Sequence, residues 1–249
     1  VVMNPWAVSI GIILIVGTIG SYIPQMVILY NKKSVIGISQ EMLFMGCLSS
    51  MFNLIGLIAN NNFIEYLLPI SQMFMPWICI TIVYTQYIHY SIKNRFDGCK
   101  DNTERFLVDK ENITWQESDY NKTKKLYPIY ITVLSATITV WIMTYSLNGS
   151  LPILSNFLNI IATITGIIMW IPQILKSIRL KGSRNLSLLT LTIHAAGCVL
   201  TVIYQVGFEN QSILVGLPFI AGAILEMTIV FICLHYKRKS VGFRNALMQ

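Results

Sequence analysis

The stretch "SYIPQMVILYNKKSVIGIS" at residues 21–39 decides the fold, because most of its pattern returns at residues 169–187 as "MWIPQILKSIRLKGSRNLS". Each copy sets a Pro-Gln pair inside an apolar segment, continues through a basic turn and opens a second apolar segment at a serine. One shift aligns the two copies: Pro24 with Pro172, Gln25 with Gln173, and Ser39 with Ser187. Self-similarity of this kind indicates an internal duplication of a structural unit.

The composition is typical of a membrane protein. The chain has 249 residues, of which 54% are hydrophobic and only 12% are charged, whereas a soluble domain carries about 25% charged residues. The apolar residues come in runs of roughly 20, long enough to cross a hydrocarbon layer of about 30 Å. We therefore predict an all-α integral membrane fold with seven transmembrane helices, at about 6–30, 40–60, 65–90, 127–147, 153–178, 187–208 and 213–236.

The basic residues fall on one side of these spans. The short connections "ANNNFIE", "NGSLP" and "FENQS" contain no Lys or Arg, so all 18 basic residues lie in the other connections and the C-terminal tail. The positive-inside rule assigns that side to the cytoplasm, which puts the N-terminus in the lumen or exterior and the C-terminus in the cytoplasm. The net charge of +7 follows from this topology. Because basic residues bordering spans face lipid headgroups, we predict membrane lipid and no nucleic acid as a partner.

The duplication and the topology together predict a 3+1+3 arrangement. Each copy begins a block of three spans, and two such blocks run in the same direction only when an odd number of spans separates them. The predicted parts are a first bundle at 1–90, a cytoplasmic loop at 91–126, a linker helix at 127–147, a second bundle at 153–236 and a cytoplasmic tail at 237–249.

The paired prolines predict hinges. A proline within a helix lacks an N–H and clashes with the carbonyl four residues earlier, so Pro24 and Pro172 should free the carbonyls of Gly20 and Ile168. One intramembrane proline is commonly a tolerated kink. Two Pro-Gln pairs at matched positions favour paired hinges instead, formed by Pro24 with Gln25 and by Pro172 with Gln173.

These motifs resemble those of the PQ-loop family. That family includes cystinosin, the lysosomal and vacuolar cationic amino-acid transporters and, more distantly, the SWEET sugar transporters. The resemblance covers nearly the whole chain outside 91–126. It implies a 3+1+3 transporter whose Pro-Gln helices hinge during alternating access. Many members lie in lysosomal or vacuolar membranes and couple export to protons, which implies the same location and coupling here.

Two ionisable residues are predicted within spans. Such residues are costly in a membrane and are functional candidates by default. Glu226 lies deep in the last span, where a buried carboxyl resists ionisation and can respond to a luminal acid gradient. Cystinosin-like members carry an acid on the same helix. His194, near the middle of the sixth span, is a candidate proton relay or solute ligand. The alternatives are a structural hydrogen bond for Glu226 and simple packing for His194.

Three further residues are candidates for the solute pathway. Asn53 offers donors and acceptors to a solute, and it matches the Asn of a similar stretch in PQ-loop relatives; its alternative role is to bridge helices. Tyr22 and Trp170 precede the two Pro-Gln pairs by the same interval, although aromatic residues beside kinks often only pack. The chain departs from the cationic branch at Ser50, where those relatives carry an aspartate. It also has Cys198 where relatives often have Asn. A neutral solute is therefore an open alternative.

The predicted function is secondary transport of a small polar solute, most readily an amino acid, coupled to protons across a vacuolar or lysosomal membrane. The alternatives are a receptor or trafficking factor on the same scaffold, and a sugar or other neutral solute. A G-protein-coupled receptor would not explain the repeat, and no "DRY" or "NPxxY" motif occurs. No nucleophile–base pair, metal-ligand spacing or phosphate loop was found, so no enzyme activity, cofactor or metal is predicted. Oligomeric state is left unassigned.

Overall fold

The computed structural model describes residues 5–60, 67–100, 121, 125–136, 138–139, 142, 152–207 and 213–247. Every regular element in these ranges is a helix, as the sequence predicts. The helices are α1 Pro5–Lys32, α2 Gln40–Asn60, α3 Leu67–Lys100, α4 at 125–136, α5 Pro152–Ile168, α6 Trp170–Arg179, α7 Leu188–Gly207 and α8 Ile213–Leu247. Most of the connecting loop at 91–126 and part of the predicted linker helix lie outside the described residues.

Four helical segments in the described part of the chain are long and apolar enough to cross a membrane. They are Val8–Lys32, Gln40–Ala59, Ile153–Arg179 and Leu217–Arg238, while the apolar part of α7 at Leu188–Tyr204 is shorter. Many large apolar side chains on these helices are exposed, including Ile13 at 62% and Phe231 at 66%. Outward-facing apolar surface on several long helices is the arrangement of a multi-pass membrane protein.

Two helices continue past the predicted spans. The third was expected to end near residue 90, but α3 runs to Lys100, so the first part of the predicted loop is helical. The last was expected to end near residue 236, but α8 runs to Leu247 through most of the predicted tail. A window of hydrophobic residues reports where the membrane ends, whereas the helix stops only where backbone hydrogen bonding stops.

Both Pro-Gln pairs lie within helical backbone. In the first copy α1 is one helix through Pro24. In the second copy α5 ends at Ile168, the residue whose carbonyl Pro172 leaves without an N–H partner, and α6 begins at Trp170. Met169 between them keeps helical φ −56 and ψ −26, and its N–H donates to the Thr165 carbonyl at 2.9 Å, so the helical path continues. The hinges at Pro24 and Pro172 therefore stay a prediction. Nearby hydroxyls hold the turns before Pro24, since the Thr18 and Ser21 hydroxyls donate to the carbonyls of Leu14 and Thr18.

The helices pack in the same order in both copies. In the first copy α3 packs against α1 and α2, and in the second α8 packs against α5, α6 and α7. Between the copies α1 packs against α7, and α2 packs against α5. The first helix of each copy therefore contacts the second helix of the other. The boundary between the two copies is therefore built from the contacts of α1 with α7 and of α2 with α5.

Small residues allow α2 and α5 to approach closely. The Ser49 hydroxyl donates to the Ala162 carbonyl at 2.7 Å, and the Ser155 hydroxyl donates to the Gly56 carbonyl at 2.6 Å. A Cβ at Gly56 would collide with the Asn159 side chain. Close backbone approach combined with interhelical hydrogen bonds replaces the hydrophobic driving force that is absent between helices in lipid.

Candidate functional site

The glutamine of the first Pro-Gln pair binds the second copy. Gln25 is buried on α1, and its side-chain oxygen accepts a hydrogen bond from the backbone N–H of Ser187 at 2.7 Å. Its amide nitrogen donates to the backbone carbonyl of Asn185 at 3.2 Å. Gln25 thus holds both a donor and an acceptor of the turn that precedes α7.

The glutamine of the second pair makes the reciprocal contacts. The Gln173 side-chain oxygen accepts from the backbone N–H of Ser39 at 2.7 Å, and its nitrogen donates to the Gly37 carbonyl at 2.8 Å and to the Ser177 hydroxyl at 3.3 Å. Gly37 and Ser39 occupy the positions in the first copy that Asn185 and Ser187 occupy in the second. The four hydrogen bonds from Gln25 and Gln173 to the opposite turns are called the cross-repeat clamp below.

The serines of the clamp also start the helices that follow. The Ser39 hydroxyl accepts from the N–H of Met42 at the start of α2, and the Ser187 hydroxyl accepts from the N–H of Thr190 at the start of α7. A serine in this position satisfies one of the free N–H groups of the first helical turn. Each glutamine therefore binds a turn whose serine also caps the following helix.

The two turns also touch each other directly. The Asn185 backbone N–H donates to the Ile36 carbonyl at 3.2 Å, and its side chain donates to the Ser34 carbonyl at 3.1 Å. The Lys176 ammonium donates to the Ile38 carbonyl at 2.8 Å. Gly37 has φ +100, a conformation that favours glycine. At this end of the molecule the two copies are closed against each other.

The sequence assigned Gln25 and Gln173 to the predicted hinges. The amide groups of both glutamines bind backbone groups of the opposite turns. Sequence periodicity places a glutamine on a helix, but it does not report which partner that side chain finds across a helix boundary.

His194 and Glu226 lie together between α7 and α8. The His194 Nδ1 atom is 2.6 Å from the Glu226 Oε1 atom, and the Glu226 side chain is fully buried. Within the described part of the chain, the second carboxylate oxygen of Glu226 has no hydrogen-bond partner. Two residues proposed separately from the sequence thus form one ionisable pair, in which Glu226 is fully buried and His194 is half-buried.

Tyr22 joins this pair from the other copy. Its ring meets the His194 ring edge-to-face, with the ring centroids 5.7 Å apart. The predicted pathway residue of α1 is therefore adjacent to the ionisable pair of α7 and α8.

Cys198 is the site residue that the sequence did not single out as a functional group. Its Sγ atom lies 3.8 Å from His194 Nδ1, and the ligand atoms of His194, Cys198 and Glu226 all lie within 4.8 Å of one another. These three side chains are of the types that hold a transition-metal ion. The available signal was the spacing of His194 and Cys198, because residues four apart lie on one helix face.

The remaining candidates lie apart from the pair. Trp170 is buried, and its indole nitrogen lies against Gly222, one turn before Glu226 on α8. Asn53 is half-buried on α2, and among the described residues no hydrogen bond connects it to His194 or Glu226. Its predicted role in binding a solute therefore stays a prediction.

A comparison with protein-family models finds the PQ loop repeat twice, over residues 6–66 and 154–212. No curated protein and no solved structure gave a significant match. The two matches contain the two Pro-Gln helices, the turns that they clamp and the helices that follow, so they fall on the duplicated unit found in the sequence and in the packing. The protein is a multi-pass membrane protein in which two stretches match the PQ loop repeat.

Proposed function

We propose that the protein is a secondary transporter that moves a small polar solute by alternating access between its two repeats. The observation that carries the proposal is the cross-repeat clamp. A few reciprocal hydrogen bonds close one end of the boundary between the repeats, while a buried ionisable pair lies beside that boundary on α7 and α8. Opening the clamp would expose the pair from that end.

The proposal assigns seven spans in a 3+1+3 order, with the clamped end in the cytoplasm. The turns of the clamp carry Lys32, Lys33, Lys181 and Arg184, and basic connections stay on the cytoplasmic side. The conformation described here is then closed to the cytoplasm. The membrane is proposed to be vacuolar or lysosomal, by resemblance to PQ-loop proteins.

An amino acid is the proposed solute. The Glu226 oxygen without a hydrogen-bond partner is suited to accept from an ammonium group, and the Tyr22 ring beside His194 offers an apolar wall. A proton gradient is the proposed driving force, again by resemblance. A sugar or other neutral solute is the alternative substrate, because Ser50 stands where the cationic branch has an acid.

Removal of the prolines tests the hinge. We expect Pro24→Ala and Pro172→Ala to give folded proteins with slowed exchange, because alanine restores a straight hydrogen-bonded helix. The measurement is solute counterflow in proteoliposomes. Unchanged counterflow in both variants would remove the hinge from the mechanism.

The proposed function is tested by uptake into proteoliposomes under an imposed pH gradient, using pooled amino acids and pooled sugars. We expect gradient-dependent uptake of one pool and reduced uptake for Glu226→Gln, because the amide cannot provide the negative charge. His235→Gln, which changes an exposed residue farther along α8, serves as the matched control and should retain uptake.

An absence of uptake would favour the alternative function, a receptor or trafficking factor. If protein shown to be folded and inserted takes up neither pool, with or without a gradient, the chain is not a carrier of these solutes. A receptor or trafficking factor on the same scaffold would then be the better proposal.

A further inference from the structure

Three potential metal ligands converge on one buried point of α7 and α8. His194 and Cys198 share a face of α7 and Glu226 faces them from α8, with the ligand atoms within 4.8 Å of one another. Cys198 and Glu226 are buried, and His194 is half-buried. We infer that His194, Cys198 and Glu226 form a binding site for a zinc-type divalent transition-metal ion.

The ligand atoms must shift from their positions in the metal-free pair to form a tetrahedral site. Zinc lies about 2.0–2.3 Å from nitrogen, oxygen and sulfur ligands, which puts the ligand atoms about 3.3–3.6 Å from each other. The separation of His194 Nδ1 and Cys198 Sγ is 3.8 Å. The separation of Nδ1 and Glu226 Oε1 is 2.6 Å. An ion therefore requires the carboxylate to withdraw from Nδ1 by about 0.7 Å. It also requires the carboxylate and Cys198 Sγ, which lie within 4.8 Å of each other, to take up tetrahedral spacing.

The charges favour a divalent ion. Bound metal takes cysteine as thiolate and histidine as neutral imidazole. One thiolate and one carboxylate then balance the two charges of the ion, so the occupied site is neutral overall. A neutral cluster is far less costly to bury than a separate ion. The second oxygen of Glu226 has no hydrogen-bond partner among the described residues. Coordination of the metal by the carboxylate satisfies this buried oxygen.

The simpler interpretation is a hydrogen-bonded His194–Glu226 pair with Cys198 as a neighbour. Metal binding distinguishes the two interpretations, and the repeat predicts its stoichiometry, because the positions that align with His194 and Cys198 are Gly46 and Ser50. The Gly46 position packs tightly against the Ile80 side chain. The first repeat therefore offers no matching pair of ligands at the aligned positions. We expect one ion per chain.

Three protein ligands leave one coordination position of a tetrahedral ion open. Tyr22 of α1 faces the group from across the repeat boundary, with its ring edge-to-face to the His194 ring. A water molecule or a donor atom of a solute could fill the open position. The site can therefore exchange its fourth ligand, unlike a structural zinc site in which the protein supplies all four ligands.

The test is direct metal binding by the purified full-length protein in detergent. Zinc affinity and stoichiometry come from competition with a chromophoric chelator, and cobalt serves as a spectroscopic probe of the ligands. We expect one equivalent per chain and a thiolate-to-cobalt charge-transfer absorption. Cys198→Ser should abolish that absorption and weaken zinc binding by about tenfold or more. Cys233→Ser, a buried cysteine of α8 outside the group, should retain both.

Any of three results would overturn the inference: no zinc binding, no charge-transfer absorption, or an absorption that survives Cys198→Ser. His194→Gln provides a second variant if the serine variant does not fold, and it should weaken zinc binding by a similar factor. The inference does not depend on which solute is carried. Because binding is measured without transport, its failure would leave the proposed carrier intact, and a failed uptake assay would leave the metal site intact.

Discussion

Gln173→Ala is expected to lower the free energy of unfolding by about 3 kcal/mol, because leaving a buried backbone group without a partner costs about 1–3 kcal/mol. The Gln173 side chain is fully buried and hydrogen-bonds the Ser39 N–H and the Gly37 carbonyl. Alanine removes both partners at once. Unfolding in detergent by heat or denaturant, followed by the loss of monodisperse protein, measures the change.

Two companion variants identify the cause. Gln25→Ala should lower the free energy of unfolding by a similar amount, because it removes the other two hydrogen bonds of the cross-repeat clamp. Leu175→Ala, which changes a lipid-exposed residue two positions from Gln173 on α6, should cost much less. If Gln173→Ala is no more destabilising than Leu175→Ala, the clamp does not hold the repeats together.

Gly37→Ala is expected to lower the free energy of unfolding by about as much as Gln173→Ala, because the added Cβ atom collides with the opposite turn. A Cβ at this position would lie 2.5 Å from the Ser183 carbonyl oxygen and 2.9 Å from the Arg184 Cβ atom. The residue also has φ +100, a conformation that costs a residue with a side chain on the order of 1–3 kcal/mol. We expect the two turns to separate and the Gln173 contact with the Gly37 carbonyl to weaken. The measurement is again unfolding in detergent.

The aligned turn supplies a matched control. Gly182 has φ +156, but a Cβ there would meet no atom within 4 Å. Gly182→Ala therefore incurs backbone strain without a collision. A larger loss of stability for Gly37→Ala than for Gly182→Ala would measure the close approach of the turns. Equal losses would mean that backbone strain alone explains the effect and that the turns can move apart freely.

Helix positions were predicted better than helix ends. The second span was predicted at about 40–60, and α2 is Gln40–Asn60. The capping serine and the apolar run that define it are both local features. The ends of α3 and α8 were placed too early, because polar residues beyond the membrane can continue a helix and hydropathy does not report this.

The sequence by itself determined that the chain is helical, membrane-spanning and duplicated, because hydropathy and a repeated motif are properties of neighbouring residues. It also singled out His194, Glu226 and Tyr22. Only the tertiary structure decided that these three meet, that Cys198 joins them, and that each glutamine binds the opposite repeat. Such contacts depend on how each helix is rotated and which helix it packs against. Those quantities are decided by the whole bundle at once. The spacing of residues along one helix puts His194 and Cys198 on one face, but it does not report what that face meets.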